Sequence, residues 1–186
     1  MKKNIFAAVV AAMSIGAFGA SAQAGEFYTG GGLGLYNIAP TTTIGTKSGT
    51  AFGAFGTVGM KVHEMASVEA RLATTAKTNT SATTGLTLDT SLDYALSLLI
   101  KPHYEVADGI DAYALVGATS YQITVASAFG QSSKTNTTLS YGAGVDASLN
   151  DMMRVGVEWF RPVTSSNSTV GAFTVDAFTV NASYKF

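Results

Sequence analysis

From Leu88 to Pro102 the chain alternates with a period of two. Leu88, Thr90, Leu92, Tyr94, Leu96, Leu98, Ile100 and Pro102 fall on one side, and Asp89, Ser91, Asp93, Ala95, Ser97, Leu99 and Lys101 on the other. A helix turns about 100° per residue and would scatter these leucines around its axis, whereas an extended strand gathers them on one face. The run is far longer than the ~5–6 residues of an ordinary globular strand. What covers its apolar face decides the fold.

The same period recurs along the chain. In the last segment Phe178, Val180, Ala182, Tyr184 and Phe186 oppose Thr179, Asn181, Ser183 and Lys185. A glycine-rich segment sets Phe27, Thr29, Gly31, Leu33 and Leu35 against Tyr28, Gly30, Gly32, Gly34 and Tyr36. Further strands are read with Phe52, Ala54, Val58, Met60 and Val62 in phase, then Val68, Ala70 and Leu72 against Glu69 and Arg71. Tyr113, Leu115, Thr119, Tyr121 and Ile123 share a phase, as do Leu139 to Leu149 by twos, and Met153, Val155, Val157 and Trp159. This predicts eight strands. Hydroxyl-rich breaks near 39–49, 74–85, 126–136 and 162–169 alternate with short ones at 63–66, 103–110 and 150–151, the last but one containing the hairpin signal Asp108-Gly109.

Lys2 and Lys3, the apolar run from Ile5 to about Ala20, and Ala22-Gln23-Ala24 follow the order of a secretory signal peptide, so residues 1–24 are set aside as a leader. Export permits disulfides, yet the chain has no cysteine, and backbone pairing and packing must hold the fold. Charged residues make up 12% of the sequence, against roughly 25% in soluble globular proteins. No segment after the leader supplies the ~18 uninterrupted apolar residues of a membrane helix. Strands still span a bilayer when they close into a barrel, because closure satisfies every backbone group. With a formal net charge of −1, nucleic acid is not an expected partner.

The face opposite the apolar one carries Lys61, Arg71, Lys101, Arg154 and Lys185, balanced by Glu69, Asp89, Asp93, Asp146 and Glu158. In a narrow barrel these residues are expected to form a lumen charge network, with Asp89 and Asp93 paired to Arg71 or Arg154. Two aromatic girdles are expected on the outside: Phe27, Tyr104, Tyr113, Tyr184 and Phe186 toward the periplasm, and Phe52, Tyr121, Tyr141 and Trp159 toward the outer rim. Asp176 shares the apolar phase, so it is placed at the outer interface together with Arg161, which either snorkels or faces lipopolysaccharide phosphates.

The opening Gly25-Glu26-Phe27-Tyr28-Thr29-Gly30-Gly31-Gly32 and the ending Tyr184-Lys185-Phe186 resemble those of the small bacterial outer-membrane β-barrels, the opacity-type, OmpA-like and OmpX-like proteins. The ending resembles their C-terminal assembly signal, carried here by Tyr184 and Phe186. The resemblance implies an eight-stranded antiparallel transmembrane barrel in the outer membrane of a Gram-negative-type bacterium. It also implies lipid and lipopolysaccharide as surroundings, insertion by periplasmic chaperones and the barrel-assembly machinery, and roles in envelope integrity, adhesion or host contact.

Chemistry finds little purchase. The tract Gly30-Gly31-Gly32-Leu33-Gly34 lacks the Lys-Ser/Thr and helix of a phosphate loop, and no cofactor is expected. His63 and His103, the only histidines, fall in periplasmic turns, away from the outer mouth where a barrel enzyme needs its base. No oxygen-ligand cluster joins Asp89 and Asp93, so no metal is expected. The expected function is a non-enzymatic structural or surface-contact barrel, with a narrow porin-like channel as the alternative. Any surface ligand would meet the outer loops.

Overall fold

The computed structural model describes residues 26–41, 48–81, 87–127, 130–165 and 172–186. The leader read over residues 1–24 lies outside them. Strand segments follow one another as β1 (Phe27–Thr41), β2 (Gly49–His63), β3 (Ala66–Thr75), β4 (Thr78–Ser81), β5 (Thr87–Ala107), β6 (Ile110–Ser127), β7 (Gly130–Ser148), β8 (Met153–Ser165) and β9 (Ala172–Lys185). All neighbours pair antiparallel, and β1 pairs with β9 from Tyr28↔Lys185 to Thr41↔Ala172. Both β3 and β4 pair with β5, so they form one stave interrupted at Ala76 and Lys77. The wall is therefore a closed eight-stave barrel without an edge along its girth.

The period-two faces sort as expected over most of the wall. Leu96, Leu98, Val145, Val157 and Val180 are exposed on the outside, with Leu33, Leu35, Phe52, Val58, Ile100 and Phe178 around them. Leu92, expected outside, is instead fully buried at 0% exposure. The β5–β6 register shifts between Leu92 and Tyr94, and this bulge reverses the alternation of everything toward the outer end of β5. A second correction concerns β6. Tyr113 and Tyr121, assigned to the girdles, point into the lumen with Leu115, Thr119 and Ile123, while Val116 lies outside. Both faces of β6 are apolar, so polarity alone does not fix its phase. The buried hydroxyls do: Thr119 meets Ser97 at 2.7 Å and accepts from Ser140 at 2.5 Å.

All four of the expected hydroxyl-rich breaks are partly strand. β1 runs to Thr41, Thr78–Ser81 forms β4, β8 runs to Ser165, and the hairpin of β6 and β7 stays paired to Ser127↔Gly130, while the turn expected over 103–110 narrows to Asp108-Gly109. Threonine is a strand former as well as a loop residue. Where both faces of a hairpin meet water, the polarity alternation ends but the backbone ladder continues. The short turns lie at the opposite end. Gly109 takes φ 69°, the left-handed conformation that Asp-Gly hairpins use, and Asn150 Oδ1 accepts the backbone N–H of Met152 and Met153 at 2.9 and 2.7 Å.

Candidate functional site

The lumen has three levels. At the periplasmic end a vestibule of ≈ 580 Å³ opens between the short turns, lined in part by Lys61, His103, Asp111, Arg154 and Lys185. Above it lies a buried charge cluster. Toward the outer end Tyr36, Ile38, Phe55, Leu92, Leu99, Leu115, Tyr121, Ile123, Phe160, Val163 and Val175 pack as an apolar core.

Arg71 is the centre of the charge cluster. Strand β3 turns Glu69 and Arg71 to the same side, and β8 brings Glu158 across the lumen from the opposite wall. The guanidinium donates to Glu158 at 2.5 and 3.1 Å and to Glu69 at 3.0 Å, and it lies over the Phe55 and Phe160 rings at 4.2 and 5.1 Å. Lys101 joins Glu69 at 3.5 Å and Asp146 at 2.9 Å, above the ring of Tyr113. Two phenols complete the set: Tyr28 donates to Glu69 at 2.7 Å and Tyr113 to Glu158 at 3.0 Å. Each of these rings lies across a glycine on the next strand, Gly59 and Gly144 respectively, where a Cβ would collide with it. A gap of ≈ 20 Å³ remains around the cluster, room for about one water.

The ten residues read as one network are distributed over several places. Glu69, Arg71, Lys101, Asp146 and Glu158 form the cluster just described. Arg154 pairs with Asp111 at the vestibule, and Lys61 and Lys185 bracket Glu26 at 3.7 and 2.9 Å. Among the described residues no ion pair joins Asp89 or Asp93 to an arginine. Both lie toward the outer end of β5, and Asp93 is bound by Ser91, Gln122 and Thr124. Five cations still meet five carboxylates, with Asp111 and Glu26 in place of Asp89 and Asp93. Sequence reasoning missed Asp111 because it shares the face of Tyr113, whose phase was inverted. The correct phase would have exposed it. Glu26 lies outside the strands; its hydrogen bond from Lys185, with Lys61 nearby, holds its carboxyl below the usual carboxylate range.

The two histidines make local backbone contacts. His63 Nδ1 accepts from the Met65 N–H at 3.3 Å, and His103 contacts the Lys101 carbonyl. No His, Asp or Glu grouping fit for a metal occurs among the described residues.

On the apolar side of the outer wall, Tyr141, Trp159, Arg161 and Asp176 form a polar group. Arg161 grips Asp176 through Nε at 2.8 Å and Nη2 at 3.0 Å, and Nη1 reaches the Tyr141 hydroxyl at 3.1 Å. Trp159 Nε1 donates to Asp176 at 3.1 Å, its ring edge-on to Tyr141. Tyr141↔Arg161 are register partners, and the next partners toward the periplasm are Ala143↔Trp159 and Trp159↔Phe178.

Comparison with known proteins agrees with this architecture. The model of the outer membrane protein beta-barrel domain matches residues 5–186. No curated protein matches the chain in sequence. Among solved structures the chain is similar to Ail, the attachment invasion locus protein of Yersinia pestis, at 17% identity and TM-score 0.59 over 88% of this chain and 100% of that one. It is similar to Neisserial surface protein A at 13% identity and TM-score 0.70, over 86% and 97%. A third match is outer membrane protein OprG of Pseudomonas aeruginosa, at 16% identity and TM-score 0.55, over 88% and 97%. At such identities the likeness is one of fold. A closed eight-stave wall with an apolar outside and a filled, charge-balanced inside, matched over nearly its whole length by that family model, places the chain in the outer membrane protein beta-barrel domain family, and it is a protein of the Gram-negative outer membrane.

Proposed function

We propose that the protein is a non-enzymatic surface-contact barrel whose lumen is shut and whose outer hairpins meet a ligand outside the cell. The observation that carries this reading is the filled lumen. A continuous water path through the barrel would have to cross both the salt-bridged cluster around Arg71 and the apolar core beyond it. Eight staves leave an interior just wide enough for side chains to fill, so a plug needs no extra domain. With the lumen closed, recognition falls to the outer loops. Relatives of this fold include Ail, which has been solved with the heparin analogue sucrose octasulfate. Here the paired outer part of β6 and β7, from Thr124↔Ser133 to Ser127↔Gly130, offers a hydroxyl-rich stretch of sequence for contact.

In this account residues 1–24 direct export and are removed, and Tyr184 and Phe186 are read by the barrel-assembly machinery. The test compares intact cells bearing the wild-type protein with cells bearing a version in which residues 124–133 are replaced by a two-residue turn. Adherence to host cells and matrix should fall in the shortened form at equal surface amount. Unchanged adherence would sink the reading. A narrow channel is the second reading, favoured by the vestibule, which opens at the periplasmic end of the lumen.

A further inference from the structure

We propose that the outer face of β7, β8 and β9 is a binding site for lipid A, the phosphorylated glycolipid anchor of lipopolysaccharide, with one acyl chain in a wall groove and a phosphate on Arg161. The proposal rests on the barrel's seat in the outer membrane and not on the contact role of its hairpins.

Two features coincide. The first is a groove of ≈ 550 Å³ on the lipid-facing wall, bounded by Ala143, Val145, Val157, Trp159, Phe178 and Val180. The register stacks it in rows: Ala143, Trp159 and Phe178 above Val145, Val157 and Val180. Ala143, the register partner of Trp159, is the smallest side chain in these rows. From Arg161 down to Val157 is about 13 Å of wall at ~3.3 Å per residue, a length suited to an extended hydrocarbon chain. The second feature is the polar row directly above, Tyr141, Arg161 and Asp176. Head group and tail therefore have adjoining, differently built seats.

The charges favour a phosphate over a neutral head group. A guanidinium has five N–H donors. Among the described residues three engagements are made, two to Asp176 and one to Tyr141, so one N–H on each terminal nitrogen remains for an incoming oxygen. Asp176 fixes the guanidinium through two hydrogen bonds, while Tyr141 and Trp159 flank it with their rings at 5.7 and 5.5 Å. Arginine is the side chain that best fits phosphate oxygens. The Asp176 carboxylate also repels a phosphate, so this site is tuned below its maximum affinity.

Trp159 is the only tryptophan in the chain, and it lies between the two seats. Its fluorescence is a direct probe. The purified protein is folded into phosphatidylcholine bilayers with brominated acyl chains, which quench Trp159, and unbrominated competitors are then titrated in. Lipid A should relieve the quench at a mole fraction about tenfold below that of unbrominated phosphatidylcholine, the factor that one charge-assisted hydrogen bond supplies. Arg161→Gln and Ala143→Leu should each bring the two competitors to parity. Asp176→Asn should widen the preference, an outcome that a purely structural Arg–Asp pair does not produce, and it serves if Arg161→Gln fails to fold. Equal competition by lipid A and phosphatidylcholine in the wild type would overturn the proposal, as would equal competition by phosphatidylglycerol and lipid A. Neither result touches the adherence experiment, so the two readings fail separately.

Discussion

Arg71 and Arg154 show how one residue type takes two values inside one barrel. Arg71 is 4% exposed and bound to two carboxylates, whereas the Arg154 side chain is 45% exposed beside the vestibule. Truncating a buried partner leaves its carboxylates unpaired in a confined, poorly solvated place. Arg71→Ala should therefore cost on the order of 3 kcal/mol, and Arg154→Ala about 1 kcal/mol or less. Urea unfolding in lipid vesicles, followed by the heat-modifiable shift in mobility, separates the two; equal losses would show that Arg71 is not the keystone. Glu26 gives a pH dependence of known sign. Because its folded carboxyl titrates below its unfolded value, its contribution is complete above the ordinary glutamate range and disappears as pH falls through the depressed value. The wild type should exceed Glu26→Gln in melting temperature at neutral pH, by a margin kept small by solvent. That margin should close in acid, and a margin independent of pH would remove Glu26 from the seam.

At the scale of the strand, legibility followed the contrast between faces. In β3, β7 and β9 one face is apolar and the other carries acids, bases or hydroxyls, and the sequence sorts them correctly. In β6 Tyr113, Leu115 and Ile123 oppose Ala114 and Val116, and nothing in polarity says which side is the lumen. The answer depends on partners from other strands, Glu158 for Tyr113 and Ser140 for Thr119, which sequence order does not reveal. The bulge at Leu92 is equally silent, since it shifts one residue without a glycine to announce it. The outer-wall row is legible in part: a charge in the apolar phase puts Asp176 at the interface with Arg161, but nothing in the sequence order joins the two to each other. The terminal strand makes its own prediction. Phe186 N–H bonds the Phe27 carbonyl at 2.9 Å across the closing seam, and its ring meets Tyr184 at 5.2 Å. Deleting Phe186 should lower the amount of folded, heat-modifiable protein in the outer membrane more than deleting a single outer-hairpin threonine does. Equal amounts would argue against a role in assembly.

For the molecule as a whole, the wall and its contents follow from one constraint. A bilayer forces closure, closure at eight staves makes a narrow interior, and a narrow interior must be filled by side chains that satisfy one another. This barrel does so with balanced charges toward the periplasm and an apolar core toward the outside. A lumen filled in this way is expected not to conduct. Single-channel recording on the purified protein in a planar bilayer tests it most directly, with Arg71→Ala alongside as a loosened plug. The wild type should show no steady conductance, with brief, small openings appearing only in the variant; large, stable conductance in the wild type would contradict the account.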